Sequence, residues 1–191
     1  MSESVGVVVG TFGDAEKWSP LAMRAIKSAE LARPDIALWL HKETLAEARN
    51  KGAEMVNTDW LIFLDADDEL DSRYVDAMRR ASGDIRKPST IGVYPDGSED
   101  DAPAMIPQRD LDRANHIVIG AMCRASMFWE VGGFREYPIL EDWDLFRRMW
   151  KAGAEVVEVP DAIYRVHVNE GSRNQDQALH TRVYNQIRRS R

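Results

Sequence analysis

Three carboxylates that follow a run of apolar residues are the strongest chemical signal in the sequence. The apolar run, Trp60–Leu64, predicts a strand that is buried on both faces. Asp65, Asp67 and Asp68 stand where that strand must end. Open parallel sheets bind ligands at the carboxyl ends of their strands, and clustered carboxylates suit a hard divalent cation and, through it, a phosphorylated ligand. The alternative is an acidic turn that caps the following helix.

Glu141 and Asp142 form a second acidic pair, at the start of a predicted helix. Helical periodicity places Asp142 on the same face as Leu145 and Met149, so its carboxylate points inward. The helix dipole explains an acid in the first turn, but it explains an inward carboxylate less well, because burying a charge is costly without a partner. The pattern therefore favours a general base at Asp142 over a helix cap.

Two weaker signals lie towards the C-terminus. His167 is a lone histidine, and such residues are more often surface or satisfied core residues than metal ligands, although ligation is one interpretation. Residues 171–174 form a small polar segment with one cation, Arg173. A simple turn and a mobile loop that closes over a phosphate are both compatible with that composition.

The alternation of strand and helix patterns predicts an α/β fold, with a mostly parallel, doubly wound central sheet flanked by helices in a single domain. Ser19 and Pro20 are typical of an N-cap followed by proline at the first helical position, and residues 44–47 form a capping box. Residues 95–112 predict a long loop. The predicted strands cover residues 5–9, 36–40, 60–64, 91–94, 117–119 and 155–159. The predicted helices cover residues 20–32, 45–56, 74–81, 124–131, 141–152 and 174–189.

The composition is that of an ordinary soluble protein, for which we expect a cytoplasmic location. None of the apolar runs approaches the length of a membrane span, the N-terminus lacks a secretory signal, and the single cysteine excludes an internal disulfide framework. The net charge of -7 argues against a protein that coats nucleic acid. The arginine-rich C-terminus favours a solvated helix end, but a tail that contacts phosphate or lipid, and with it nucleic acid, stays open.

Six short segments follow one another along the chain: V-V-V-G-T-F at 7–12, A-R-N-K-G at 48–52, L-D-A-D-D at 64–68, G-G-F-R-E at 132–136, E-D-W-D-L at 141–145 and Y-R-V-H at 164–167. Taken in this order, they resemble the family-2 glycosyltransferases, which have the GT-A fold. Each segment alone is a weak signal, but six in the right order are specific. The resemblance spans about residues 5–174, so residues 1–71 are expected to form the nucleotide-sugar half and residues 72–191 the acceptor half with its C-terminal helix.

The resemblance implies a metal-dependent, inverting hexosyltransferase that moves a monosaccharide from a nucleotide-diphosphate sugar to a hydroxyl acceptor. A divalent cation, Mn²⁺ or Mg²⁺, is expected at Asp67 and His167, with Asp65 contacting the donor and the metal through water. Asp142 is expected to be the catalytic base, with Glu141 and Trp143 on the acceptor side. The residues expected at the nucleotide sugar are Thr11, Phe12, Arg49, Asp65, Ala66 and Arg173.

One segment departs from the family pattern. The family normally has an acidic turn and a further strand–helix unit after its second strand, whereas here residues 41–43 run directly into the A-R-N helix. The aspartate that usually contacts the base has no clear counterpart, so uridine, guanosine and thymidine donors are all open. A nucleotidyltransferase and a non-catalytic module that binds nucleotide sugar or glycan are the competing classes. The first loop lacks the basic, glycine-rich pattern of the former.

Overall fold

The computed structural model describes residues 3–107, 109–168 and 176–190, and within them seven strands form one sheet accompanied by six helices. The strands are β1 (Val5–Phe12), β2 (Ile36–Lys42), β3 (Trp60–Leu64), β4 (Glu69–Leu70), β5 (Ile85–Val93), β6 (Met122–Arg124) and β7 (Val156–His167). The helices are α1 (Ala15–Leu31), α2 (Leu45–Val56), α3 (Tyr74–Arg80), α4 (Ala125–Glu130), α5 (Glu141–Lys151) and α6 (Gln177–Arg189).

The strand order is β2-β1-β3-β6-β5-β7-β4. β1 pairs in parallel with β2 and β3, and β5 pairs in parallel with β7, so most paired residues lie in parallel ladders. The short strands β4 and β6 pair antiparallel to their neighbours. The predicted α/β fold with a mostly parallel sheet is therefore confirmed.

The centre of the sheet brings the first functional residues to one edge. β1 and β3 are almost completely buried, because their β-branched and aromatic side chains belong to the hydrophobic core. Both strands end on the same side, where the segment after β3 carries the carboxylate cluster. Helix α2 lies close to β1 because Gly52 has no side chain, and a Cβ atom there would collide with Val8. This approach places Arg49 of α2 beside the end of β3.

Helix α1 begins earlier than the sequence predicts. Asp14 is the N-cap, and its carboxylate accepts hydrogen bonds from the backbone N–H groups of Glu16 at 3.0 Å and Lys17 at 3.2 Å. The prediction of Ser19 as the N-cap is wrong, since Pro20 lies in the second turn of the helix. The residues before Ser19 are good helix formers behind a favourable cap, and together they outweigh the proline signal.

The strands of the second half also differ from the prediction. Residues 117–119 do not form a strand, although Ile117 and Ile119 are buried, because β6 supplies the neighbour of β3 instead. β5 begins at Ile85, well before the predicted residue 91, and β7 continues past residue 159 to His167. The segment predicted as a long loop, 95–112, is largely irregular over its described residues, 95–107 and 109–112. It is attached to the sheet by isolated bridges and by buried Lys87, whose Nζ donates to the carbonyl of Ile106.

None of the helices in the part of the chain that the structure describes is both long and apolar enough to cross a membrane.

Candidate active site

The three carboxylates after β3 lie together at the end of the parallel strands. Asp65, Asp67 and Asp68 each present an oxygen atom within 4.8 Å of the others, and the turn is closed by a backbone hydrogen bond from Asp68 N to Asp65 O at 3.1 Å. Burial and the neighbouring carboxylates raise the pKa values of Asp65 and Asp68, despite the opposing effect of Arg49 on Asp65. A compact set of oxygen ligands that repel one another fits a hard divalent cation.

His167 ends β7 beside this cluster. Its backbone N–H donates to Asp68 Oδ1 at 2.9 Å, and its ring Nε2 lies 2.9 Å from Glu69 Oε1. Among the residues that the structure describes, the group able to hold a metal consists of the three aspartates and does not include the His167 ring. The structure thus places His167 next to the cluster, with its ring directed to Glu69.

Tyr164 contacts the backbone of the carboxylate cluster, a role that no sequence pattern predicted. It is completely buried, and its hydroxyl oxygen accepts a hydrogen bond from the backbone N–H of Asp65 at 3.3 Å. Burial and the nearby carboxylates of Asp68 and Asp65 raise its pKa well above the usual value, so the hydroxyl keeps its proton. Gly120 lets the ring lie at this depth, because a Cβ atom there would collide with it.

Arg49 joins the carboxylate cluster to the start of α5. Its side chain is almost completely buried, with Nη2 2.5 Å from Asp65 Oδ1 and Nη1 2.9 Å from Glu141 Oε1. Burial disfavours its charge, but the two carboxylates outweigh that cost and raise its pKa. The guanidinium also lies 5.0 Å from the centre of the Phe134 ring. One buried cation therefore fixes the distance between the end of β3 and the residue that precedes Asp142.

The next residue of α2 connects the A-R-N and G-G-F segments. Asn50 donates from Nδ2 to the carbonyl of Phe134 at 2.9 Å and accepts from its N–H at 2.8 Å, which imitates a strand pair. Gly133 has a positive φ of 67°, and a Cβ atom there would lie 2.6 Å from Asn50 Oδ1. Hydrogen bonds thus join the two segments directly. Position 133 requires glycine because its φ is positive and because Asn50 leaves no room for a side chain.

Asp142 lies in the first turn of α5 and is half-buried. Its Oδ1 accepts the backbone N–H of Trp143 at 2.8 Å, and its Oδ2 accepts Nδ2 of Asn115 at 3.0 Å. Burial and the adjacent Glu141 raise its pKa to about 6. Leu140, immediately before the helix, adopts a left-handed backbone with φ 61°, a conformation that is strained for a branched residue. A carboxylate with a pKa near neutrality is suited to accept a proton.

Trp143 does not lie on an open acceptor surface, which corrects the sequence prediction. The residue is completely buried, its ring stacks on Tyr184 with centroids 4.9 Å apart, and its Nε1 donates to the carbonyl of Leu111 at 2.8 Å. It therefore holds residues 111–117, here called the strap, against α5.

The residues predicted at the nucleotide sugar are partly covered. Thr11 is buried, and its Oγ1 accepts from Trp39 Nε1 at 2.8 Å and lies 3.0 Å from His41 Nδ1. Ala66 is also buried, so contact with a ligand would use its backbone. Arg173 lies outside the described residues.

A cleft of about 450 Å³ opens beside the Arg49 network. The start of α2 and the segment before α5 form its walls, and Thr44 Oγ1 donates across it to Glu136 Oε1 at 3.0 Å. Glu141, which pairs with Arg49, is one of the residues that line the cleft. The lining residues are Phe12, Glu43, Thr44, Leu45, Ala46, Arg135, Glu136, Tyr137, Pro138 and Glu141.

Comparison with known proteins identifies relatives of this architecture. Residues 29–135 match the family model described as glycosyl transferase family 2. The crystal structure of S. aureus TarS 1-349 in complex with UDP-GlcNAc superimposes with a TM-score of 0.65 at 13% sequence identity, covering 88% of this chain and 59% of that one. A second crystal structure of S. aureus TarS gives a TM-score of 0.59 at 14% identity, covering 86% of this chain and 37% of that one. The chain thus spans less than two thirds of these proteins. The search of curated proteins gives no match.

Proposed function

The chain belongs to glycosyl transferase family 2, whose model matches more than half of it, and on that premise we propose a metal-dependent, inverting hexosyltransferase. It moves a monosaccharide from a nucleotide-diphosphate sugar to a hydroxyl acceptor. The observation that carries the proposal is the buried Arg49, which joins Asp65 of the carboxylate cluster to Glu141, the neighbour of Asp142. A site suited to a diphosphate and a candidate base are thereby held in one network.

The donor side is formed by the end of β3 and the cleft beside it. The oxygen ligands of the cluster fit Mn²⁺ or Mg²⁺, and such an ion would offset the negative charge that develops on the departing diphosphate. The likeness to a TarS structure with UDP-GlcNAc bound supports a nucleotide sugar as the donor class. Phe12 and Tyr137 line the same cleft as Glu141 and offer apolar surfaces to a ring.

The acceptor side is formed by the start of α5 and the strap. The Asp142 carboxylate accepts the proton of an acceptor hydroxyl as that oxygen forms a bond to the anomeric carbon. The bond between the anomeric carbon and the diphosphate oxygen breaks at the same time, and a nucleoside diphosphate leaves. A single displacement of this kind inverts the anomeric configuration. In this proposal residues 1–71 supply the donor half, and residues 72–191 supply the base and the acceptor half.

The test is a panel of UDP-, GDP- and dTDP-sugars offered to the wild-type chain and to Asp142→Asn, with Mn²⁺ or with EDTA. We expect one nucleotide class to raise the melting temperature in Mn²⁺ only, because a ligand that binds the native state stabilises it by mass action. The variant should keep that shift and lose transfer of the sugar to a panel of glycan acceptors. A nucleotidyltransferase would instead release pyrophosphate from a nucleoside triphosphate. A binding module would show the shift without turnover in the wild type.

A further inference from the structure

We propose that Asn115 is a positioning residue that holds the Asp142 carboxylate in the orientation and charge state needed for proton transfer. This inference rests on the proposed function, since it takes Asp142 as the base. The resemblance that the sequence carries gives Asn115 no role. Its assignment comes from the contact that the fold creates between the strap and the first turn of α5.

Both oxygens of Asp142 are held by a donor. Oδ1 accepts the backbone N–H of Trp143 at 2.8 Å, and Oδ2 accepts Asn115 Nδ2 at 3.0 Å. The orientation of the Asn115 amide is itself set, because its Oδ1 accepts the backbone N–H of Ile117 at 3.3 Å. The amide therefore directs its NH₂ group, and not its oxygen, to the carboxylate. With rotation of the carboxylate restricted, its remaining lone pairs have a fixed direction.

The strap that carries Asn115 is fastened to α5 along one helical stripe. Trp143, Arg147 and Lys151 follow one another at intervals of four residues, so they share a face of the helix. Trp143 Nε1 donates to the carbonyl of Leu111 at 2.8 Å. Arg147 Nε and Lys151 Nζ lie 2.9 Å and 2.8 Å from Asp112 Oδ1. The segment that carries Asn115 is thus packed along the same helix that carries Asp142.

A hydrogen bond from α6 and the burial of two residues also hold the strap in place. Tyr184 of α6 donates its hydroxyl proton to the carbonyl of Arg113 at 2.9 Å. His116 and Ile117, which follow Asn115 directly, are buried. The strap is therefore anchored before and after Asn115, while Asn115 itself is exposed at the surface where an acceptor would arrive.

The charged groups around Asp142 define what the amide contributes. Glu141 raises the pKa of Asp142, and Arg49 acts in the opposite direction, as does the hydrogen bond from Asn115. A donor to a carboxylate favours its ionised form. Removing the amide leaves Glu141 and Arg49 unchanged, so the ionisation of Asp142 should move to higher pH by about half to one unit.

The experiment titrates Asp142 directly in the full chain. Protein labelled with ¹³C-aspartate is followed by NMR from pH 4 to 8, and the Asp142 resonance is assigned by its loss in Asp142→Asn. We expect Asn115→Ala to raise the midpoint by about half to one unit, and Asn115→Asp to raise it further, because it adds a second carboxylate. Arg113→Ala is the matched control, since that exposed side chain of the strap pairs with Asp110 and its loss should leave the midpoint unchanged.

Kinetics on the same variants separate this inference from the proposed function. With the donor that gives turnover, the acidic limb of kcat/KM for the acceptor should move with the NMR midpoint in Asn115→Ala, because kcat/KM reports groups of the enzyme before the acceptor binds. The plateau of kcat should fall about tenfold from misorientation of the base. The donor-induced rise in melting temperature should match that of the wild type. An unchanged midpoint in Asn115→Ala, with Asp142→Asn inactive, would overturn the role of Asn115 alone. Wild-type turnover in Asp142→Asn would overturn both proposals.

Discussion

At the scale of single residues, the elevated pKa of Asp142 leads to a definite pH dependence. Burial and Glu141 raise that pKa to about 6, and a base works only in its deprotonated form. We therefore expect kcat/KM for the acceptor to rise about tenfold per pH unit below pH 6 and to level off above it, because this ratio reports groups of the enzyme before the acceptor binds. The measurement is kcat/KM for the acceptor between pH 5 and 8 at saturating donor. A flat profile over this range would show that another group takes the proton.

Loss of Arg49 should cost the protein a large part of its stability. Replacement by methionine keeps an unbranched chain but leaves the carboxylates of Asp65 and Glu141 without their buried partner. We expect the free energy of unfolding to fall by about 3–5 kcal/mol, as is typical when one member of a buried ion pair is removed. Urea denaturation followed by tryptophan fluorescence measures this change.

Two comparisons test the cause of that loss. Lys51→Met removes a single ion pair to Glu54 on the exposed surface of α2, so it should cost about 1 kcal/mol or less. In a background with Asp65→Asn and Glu141→Gln, the Arg49→Met change should cost much less than in the wild type, because few charges remain to be left unpaired. Equal losses in both backgrounds would mean that packing of the Arg49 side chain, and not its charge, is responsible.

The chemistry of single residues could be predicted from the sequence only where the pattern is local. The carboxylate cluster follows a strand directly, and Asp142 starts a periodic helix, so both could be located from their neighbours. Asn115 belongs to an irregular segment, where asparagine has many ordinary turn roles, and its partner lies 27 residues away. The spacing of Trp143, Arg147 and Lys151 was the available signal that another segment packs on that face of α5.

At the scale of elements, the same distinction separates correct predictions from wrong ones. The buried strand β3 and the helices α2 and α5 carry strong local patterns, and the structure has them close to their predicted bounds. β1 was also predicted, but it runs on to Phe12, three residues beyond its predicted end, because its pairing with β2 continues. β6 has only three residues, and its position depends on pairing with β3 and β5, which no local pattern specifies. Ile117 and Ile119 are buried in the core, which accounts for their apolar character, but they do not pair with a strand.

The contact between α2 and β1 allows a prediction about a helical glycine. A change from glycine to alanine within a helix normally stabilises a protein by about 1 kcal/mol. At Gly52 the added Cβ atom would collide with Val8, so we expect Gly52→Ala to lower the free energy of unfolding, by about 1–3 kcal/mol. The double variant with Val8→Ala should lose less than the sum of the two single losses. If urea denaturation showed Gly52→Ala to be more stable than the wild type, α2 would be able to move away from β1 at little cost.

At the scale of the whole molecule, the carboxylate cluster links global stability to a divalent cation. Without a cation, Asp67 adds to the repulsion on Asp65 and Asp68, which burial already disfavours as charged groups. Asp67→Asn should therefore raise the melting temperature in EDTA by about 2–4 °C, which corresponds to about 1 kcal/mol for a domain of this size.

Mn²⁺ at about a hundred times its Kd should raise the wild-type melting temperature by about 5 °C or more, and should hardly move that of Asp67→Asn. The control is Asp161→Asn, which removes an exposed carboxylate elsewhere and should respond to Mn²⁺ as the wild type does. It separates binding at a specific site from general screening of a chain with net charge -7. An equal rise in all three proteins would show that the cation acts on the overall charge and that the cluster does not hold it.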